Sequence, residues 1–235
     1  METAPELVQA KAGNDEWVEA THRGLARVWI DFESKLVQVP VIARMLAGKM
    51  RLEDYQRLLV NLRQQVIEGS RWISRASSNL SPEYEELRSL FVRHSAAEHR
   101  DFRLLEQNYV ATGGALEIIQ HAEKNIGSEA LSAFMYHAAS RPDPIGLLGA
   151  MFIIEGLGQR LALPWAEAIE AQLHVGKEAL TFLSYHGAND ESHMDMFDDA
   201  IRLAVGSEAD MKMVVKHAKI VARLYRLQLE ELDNV

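Results

Sequence analysis

The sequence contains no cysteine. That excludes disulfides, thiolate metal sites and a cysteine nucleophile together, so any chemistry must use carboxylates, imidazoles, hydroxyls or a bound cofactor. Basic character is also scarce. Lys and Arg number 25 against 34 Asp and Glu, a net charge of −9, and the basic residues are scattered, without the clustered footprint a nucleic-acid surface needs. Long apolar runs are missing too. The longest uncharged run, "PIGLLGAMFII", is well short of the roughly 20 residues that cross a bilayer, and the N-terminal "METAPELVQAKAGNDEW" has no apolar core of the signal-peptide kind. These absences lead to the expectation of a cytoplasmic protein whose partner is a small molecule rather than nucleic acid or membrane, with a homodimer open to it.

Alternating β-branched patterns bounded by turns are nearly absent. Apolar residues instead recur at three- and four-residue spacing almost throughout, which predicts an all-α fold. Stop and start signals divide the chain: "AGKM" near 47, "SNLSPE" at 78–83, "ATGG" at 111–114, "NIGSEA" at 125–130, "SRPDP" at 140–144, "HVGKEA" at 174–179 and "VGSEAD" at 205–210. Ser81 before Pro82 reads as an N-cap with proline at the first helical position, and Ser128 and Ser207 each follow a glycine able to end the preceding helix. About seven or eight helices result, several near 25 residues. Long helices with short connections imply a bundle, here one domain over residues 1–235 with 1–14 as a flexible lead-in.

What is present is a set of carboxylates and histidines in apolar company. On a helix from about 178 to 204, His186, Asp190 and His193 fall within an arc of roughly 60° that also carries Leu183 and Phe197. The stripe argues that the polar three face inward. Glu155 interrupts the uncharged run of "GLLGAMFIIEGLGQRLALPW", and a buried carboxylate must be neutralised, paired or bound to a cation. Gly158, one turn on, leaves room beside it for a metal or substrate; a pair with Arg160 is the alternative. Glu68 in "NLRQQVIEGSRW" lies one turn from Gln64, Gln65 and Trp72, with Gly69 beside it. In "RHSAAEHRDF", Glu98 and Asp101 are one turn apart, with His94 one turn before and His99 pointing elsewhere. That arc is either a second ligand face or the charged side of an amphipathic helix. Together the groups are rich in oxygen with some imidazole, a set that suits non-haem iron or manganese, and carboxylate-rich sites inside helical bundles hold pairs of such ions.

At this point a resemblance enters. "VPVIARMLAGKMRLEDYQRLLVNLRQQVIEGSRW" resembles the opening of the haem-oxygenase-like superfamily, shared by TenA proteins and pyrroloquinoline quinone synthase. "IIEG" and "LSYHGANDESHMDMF" resemble its metal-binding branch, the haem-oxygenase-like di-iron oxidases and oxygenases. The likeness spans roughly residues 17 to 230 and implies a haem-oxygenase-like bundle of about seven helices. It implies Glu68, Glu98, Glu155, His186, Asp190 and His193 as ligands of two ferrous ions, with O2 as co-substrate. The family usually carries a histidine one turn after the third-helix glutamate, where this chain has Asp101. Either Asp101 takes that place, His94 substitutes from the preceding turn, or the site is weakened; a carboxylate there favours manganese at one position. The implied activity is oxidation of a small amino-acid-like or fatty-acid-like substrate, by N-oxygenation, oxidative decarboxylation or carbon–carbon cleavage. The alternatives are a metal-free binding protein with a decayed site and a haem oxygenase using His22 of "EATHRGLA". A TenA-type hydrolase would ordinarily need the absent cysteine.

Overall fold

The computed structural model describes residues 14–234; the side chains of residues 189–195 lie outside the description. Eleven α-helices appear among the described residues, and no strand. The long ones are α1 (Asp15–Leu36), α3 (Leu52–Ser78), α10 (Thr181–Ala204) and α11 (Glu208–Glu230). Between them run α2 (Pro40–Leu46), α4 (Glu85–Glu98), α5 (Phe102–Ala111), α6 (Leu116–His121), α7 (Ile126–Ala139), α8 (Leu147–Leu157) and α9 (Leu163–Leu173). The architecture is the expected all-α bundle, with α11 packed along α1, α7 and α8, and α3 along α4, α5 and α7. Buried residues from all of these helices join in one core.

Three local features differ from the sequence reading. Helix α7 is capped by Asn125, whose side chain accepts from the Ser128 amide at 2.8 Å, rather than started by Ser128. Asn caps as well as Ser, and Gly127 serves a different purpose: a Cβ there would strike the α11 backbone at Gln228. Ser207 caps α11 as read, accepting from the Asp210 amide. Secondly, α4 ends at Glu98 and a turn at 99–101 leads into α5, where the sequence suggests one continuous face. Thirdly, the apolar helix carrying Glu155 contains a π-turn over Gly158–Ala162. The turn ends two residues before Pro164, whose ring would clash with the carbonyl of Arg160 in a regular helix. Taken through that turn, Leu147–Leu173 is long and apolar enough to cross a membrane by length and composition, although 56% of its most apolar window is buried within the fold.

One buried charge ties the end of the chain to the bundle. The side chain of Asp54, on the first turn of α3, is fully buried and accepts from both Arg44 and Arg51, while Arg44 also reaches Asp233 at 2.8 Å. Burial alone would raise this carboxyl. The Arg51 side chain and amide and the Arg44 guanidinium outweigh it and hold the pKa at about 2. Asp54→Asn, which removes the buried charge while Arg44 keeps Asp233 and Arg51 stays open to solvent, should cost about 1.5–3 kcal/mol at pH 7. Because the folded-state pKa is depressed, the stabilisation is present above the usual value of 3.8 and lost as pH falls through about 2. Urea unfolding should therefore show a wild-type advantage at pH 7 that narrows in acid.

Candidate metal centre

Helices α4, α8 and α10 meet in the interior and bring together residues far apart in sequence. Glu98 at the end of α4, Asp101 in the following turn and His186 on α10 each offer a ligand atom, all within 4.8 Å of one another. The Nε2 of His186 lies 3.5 Å from Oδ2 of Asp101, and both side chains are largely buried. On the other side, His94 Nε2 lies 3.2 Å from Oε1 of Glu155, which projects from α8. Glu98 stands between these two histidine–carboxylate contacts and feels all four groups. Burial first, and then the nearby Glu155, push its pKa up to about 7; His186 and His94 pull it down, and Asp101 adds to the rise. A buried carboxyl whose pKa is raised by burial and like charges marks a candidate functional site.

The local sequence explains why these side chains converge. Leu183 and Phe197 are buried with the inner face of α10, so the expected inward phase holds at His186. Gly187 lets α10 close on the residue after the π-turn, since a Cβ there would come within 2.9 Å of the Leu163 side chain. The break at 99–101 bends the chain beside Glu98, placing Asp101 near His186. Arg160 is not the partner of Glu155: its guanidinium lies over the Trp29 ring, 4.8 Å from the centroid.

Not every expected ligand joins the cluster. Glu68 instead contacts Lys124 at 2.6 Å and the Ser132 hydroxyl. Helical phase is the reason, because the α3 residues that line the cavity beside Glu98 and Glu155 are Gln65, Val66, Gly69, Trp72 and Ile73, and position 68 is turned about a right angle from their mean direction. Asp190 and His193 lie outside the described residues. His99 points away as expected, its Nδ1 on the Ala96 carbonyl. His22 lies 2.9 Å from Asp198 and lines none of the cavities around Glu155.

Two of those cavities define what can approach the cluster. The first, about 380 Å³ and partly open to solvent, runs past Leu90, Phe91, Leu148, Met151 and Phe197 to His94 and Glu155. The second, about 650 Å³ and also partly open to solvent, is lined by Leu62, Val66, Ile154, Trp165 and Phe182 and reaches Glu98, Glu155 and His186. Its further polar groups are Gln65 and Tyr225. Gln65 accepts from Gln228 at 2.7 Å, and burial holds the Tyr225 phenol above its ordinary range although a hydrogen bond with Gln65 pulls the other way. Sequence reasoning did not find Tyr225, because a tyrosine on the inner face of an amphipathic helix reads as core. Among the described residues neither lining contains Lys or Arg.

The profile of a family described as iron-containing redox enzymes matches residues 92–226, the segment that carries every member of the cluster, and the chain belongs to that family. Its fold is haem-oxygenase-like. A domain of unknown function with a haem oxygenase-like fold from Shewanella denitrificans superposes with a TM-score of 0.84 at 17% identity, covering 89% of this chain and 90% of that one. A TenA homologue from Pseudomonas syringae pv. tomato gives 0.70 at 14% identity over 100% and 99% of the two chains. Haem oxygenase-1 from the cyanobacterium Synechocystis, in complex with haem, gives 0.65 at 13% identity over 92% of each. No curated protein matches the sequence.

The residues present fit iron. The donor set is hard oxygen with imidazole, Glu98, Asp101 and His186 converge on one interior point, and no cysteine competes for a softer ion.

Proposed function

We propose that the protein is a non-haem di-iron enzyme that uses O2 to oxidise a small, largely apolar molecule. The observation that carries this reading is Glu98 poised between two buried histidine–carboxylate contacts, with Glu155 lining both cavities. Glu98, Asp101, Glu155 and His186 would hold the metal, with Asp190 and His193 of α10 completing the set. Bound ferrous ions supply the electrons for O2 activation. The protein's own part is to neutralise their charge with carboxylates, to exclude bulk water with the apolar walls and to place the substrate. Without Lys or Arg among the described lining residues, a substrate carboxylate or amine has the metal centre and the Gln65–Tyr225 pair as its polar partners. An aliphatic or aromatic body then fills the rest. The extra oxygen ligand at Asp101 favours harder ions, so manganese competes for one position.

Anaerobic loading with ferrous iron followed by metal analysis tests the reading. About two ions per chain and O2 consumption on exposure to air are expected, with His186→Ala abolishing both while circular dichroism stays that of a helical protein. Absence of bound iron in the wild type would overturn it. An intense Soret band on adding haem instead would point to haem chemistry through His22.

A further inference from the structure

The imidazole absent from position 101 reappears one turn on the other side of Glu98. His94 lies four residues before Glu98 on α4, and its Nε2 is 3.2 Å from Oε1 of Glu155, the two side chains only 13% and 11% exposed. Two donors bound to one ion at about 2.1 Å are roughly 3.0 Å apart at a right angle and roughly 3.4 Å apart at a tetrahedral one. The His94–Glu155 separation falls between these values. The His186–Asp101 separation of 3.5 Å lies just beyond them, on the opposite flank of Glu98.

We propose that His94 is a metal ligand that shares one ion with Glu155, while His186 and Asp101 share the other and Glu98 lies between. The proposal rests on the di-iron reading above. It makes the chain's departure at Asp101 an exchange rather than a loss: the carboxylate stands after Glu98 and the imidazole before it.

The break in the helix makes the exchange workable. His94 lies within regular α4, so it keeps a fixed phase one turn from Glu98, whereas Asp101 sits in the turn after the helix has ended. The two therefore serve opposite flanks of one glutamate. His94 also lines both the 380 Å³ cavity and the adjoining space beside Gln65 and Glu98. A histidine kept only for packing has no reason to face the same openings as the carboxylates.

The rival role is positioning, in which His94 merely donates a hydrogen bond to Glu155. Gln keeps that bond through its amide but is a poor iron ligand, so His94→Gln separates the two roles. Anaerobic ferrous titration with metal analysis after gel filtration should give two ions in the wild type and one in His94→Gln, His94→Ala and Asp101→Ala. The double variant His94→Gln/Asp101→Ala should retain none. Free imidazole added to His94→Ala should restore the second ion. Circular dichroism of the metal-free proteins checks that each variant folds. Two ions in His94→Gln with affinity within about tenfold of wild type, the range of an outer-shell effect, would overturn the proposal while leaving the di-iron reading intact. One ion surviving in the double variant would overturn it equally, because the two residues would then serve the same position. A wild type without bound iron would fail the di-iron reading itself, and this inference with it.

Discussion

Glu155→Gln is expected to lower iron affinity by at least about 10³-fold while leaving the melting temperature of the metal-free protein within about 2 °C of wild type. The two halves follow from different physics. An amide keeps the shape of the side chain and still accepts a hydrogen bond from His94, but it carries no charge to offset a ferrous ion. A loss of this size amounts to about 4 kcal/mol of binding free energy. In the metal-free protein the same change relieves the repulsion that Glu155 exerts on Glu98, which offsets the weakened His94 contact. A structural ion pair would behave in the opposite sense, with stability falling sharply when one partner is removed. Anaerobic titration and calorimetry in chelator read the two quantities separately. Retained iron with a fall of many degrees would return Glu155 to a structural role.

Iron binding should also be strongly pH-dependent. Glu98 must lose its proton to ligate, and its pKa is held at about 7, so binding should release a proton below that value. Apparent affinity should be nearly flat from pH 8 to just above 7 and then weaken by about tenfold per unit, roughly two orders of magnitude down to pH 5. For folding, the sign is that of a raised carboxyl. Its contribution to the stability of the metal-free protein is fully present below the usual 4.5 and is lost as pH rises through about 7. Added iron should therefore raise the melting temperature more at pH 8 than at pH 5. An affinity unchanged between pH 5 and pH 8 would show that Glu98 ionises normally and does not bind the metal.

How much of this was legible before the structure depends on the length scale of the signal. Helix α10 was readable nearly to its ends, expected from about 178 to 204 and found at Thr181–Ala204, because its apolar phase persists for six turns. The inward face at Leu183, His186 and Phe197 came from the same periodicity. Glu155 stood out because a lone charge inside an apolar run has few explanations. What the sequence concealed were one-residue events. The turn at 99–101 carries neither Gly nor Pro, so the pattern suggested an unbroken face. The π-turn at Gly158–Ala162 shifts the register by a single position, and only Pro164 downstream hinted at it. The resemblance implies Glu68, yet helical phase sends it to Lys124 and Ser132; only with Val66 and Ile73 added to Gln65, Gly69 and Trp72 does the cavity face turn away from it. Contacts such as His94 with Glu155 join helices separated by some sixty residues, and no local pattern encodes them.

The π-turn sets the rotational phase of everything after it. One residue added to a helix turns the following segment by about 100° about the axis, so Gly158–Ala162 works as a fixed angular offset between Glu155 and Trp165. Both residues line the 650 Å³ cavity, although they are ten positions apart. Shortening this stretch by one residue would leave Glu155 and its histidine in place while turning Trp165 by about 100° about the helix axis. The segment thus lets the shape of the cavity change by insertion or deletion without moving the residues proposed to hold the metal.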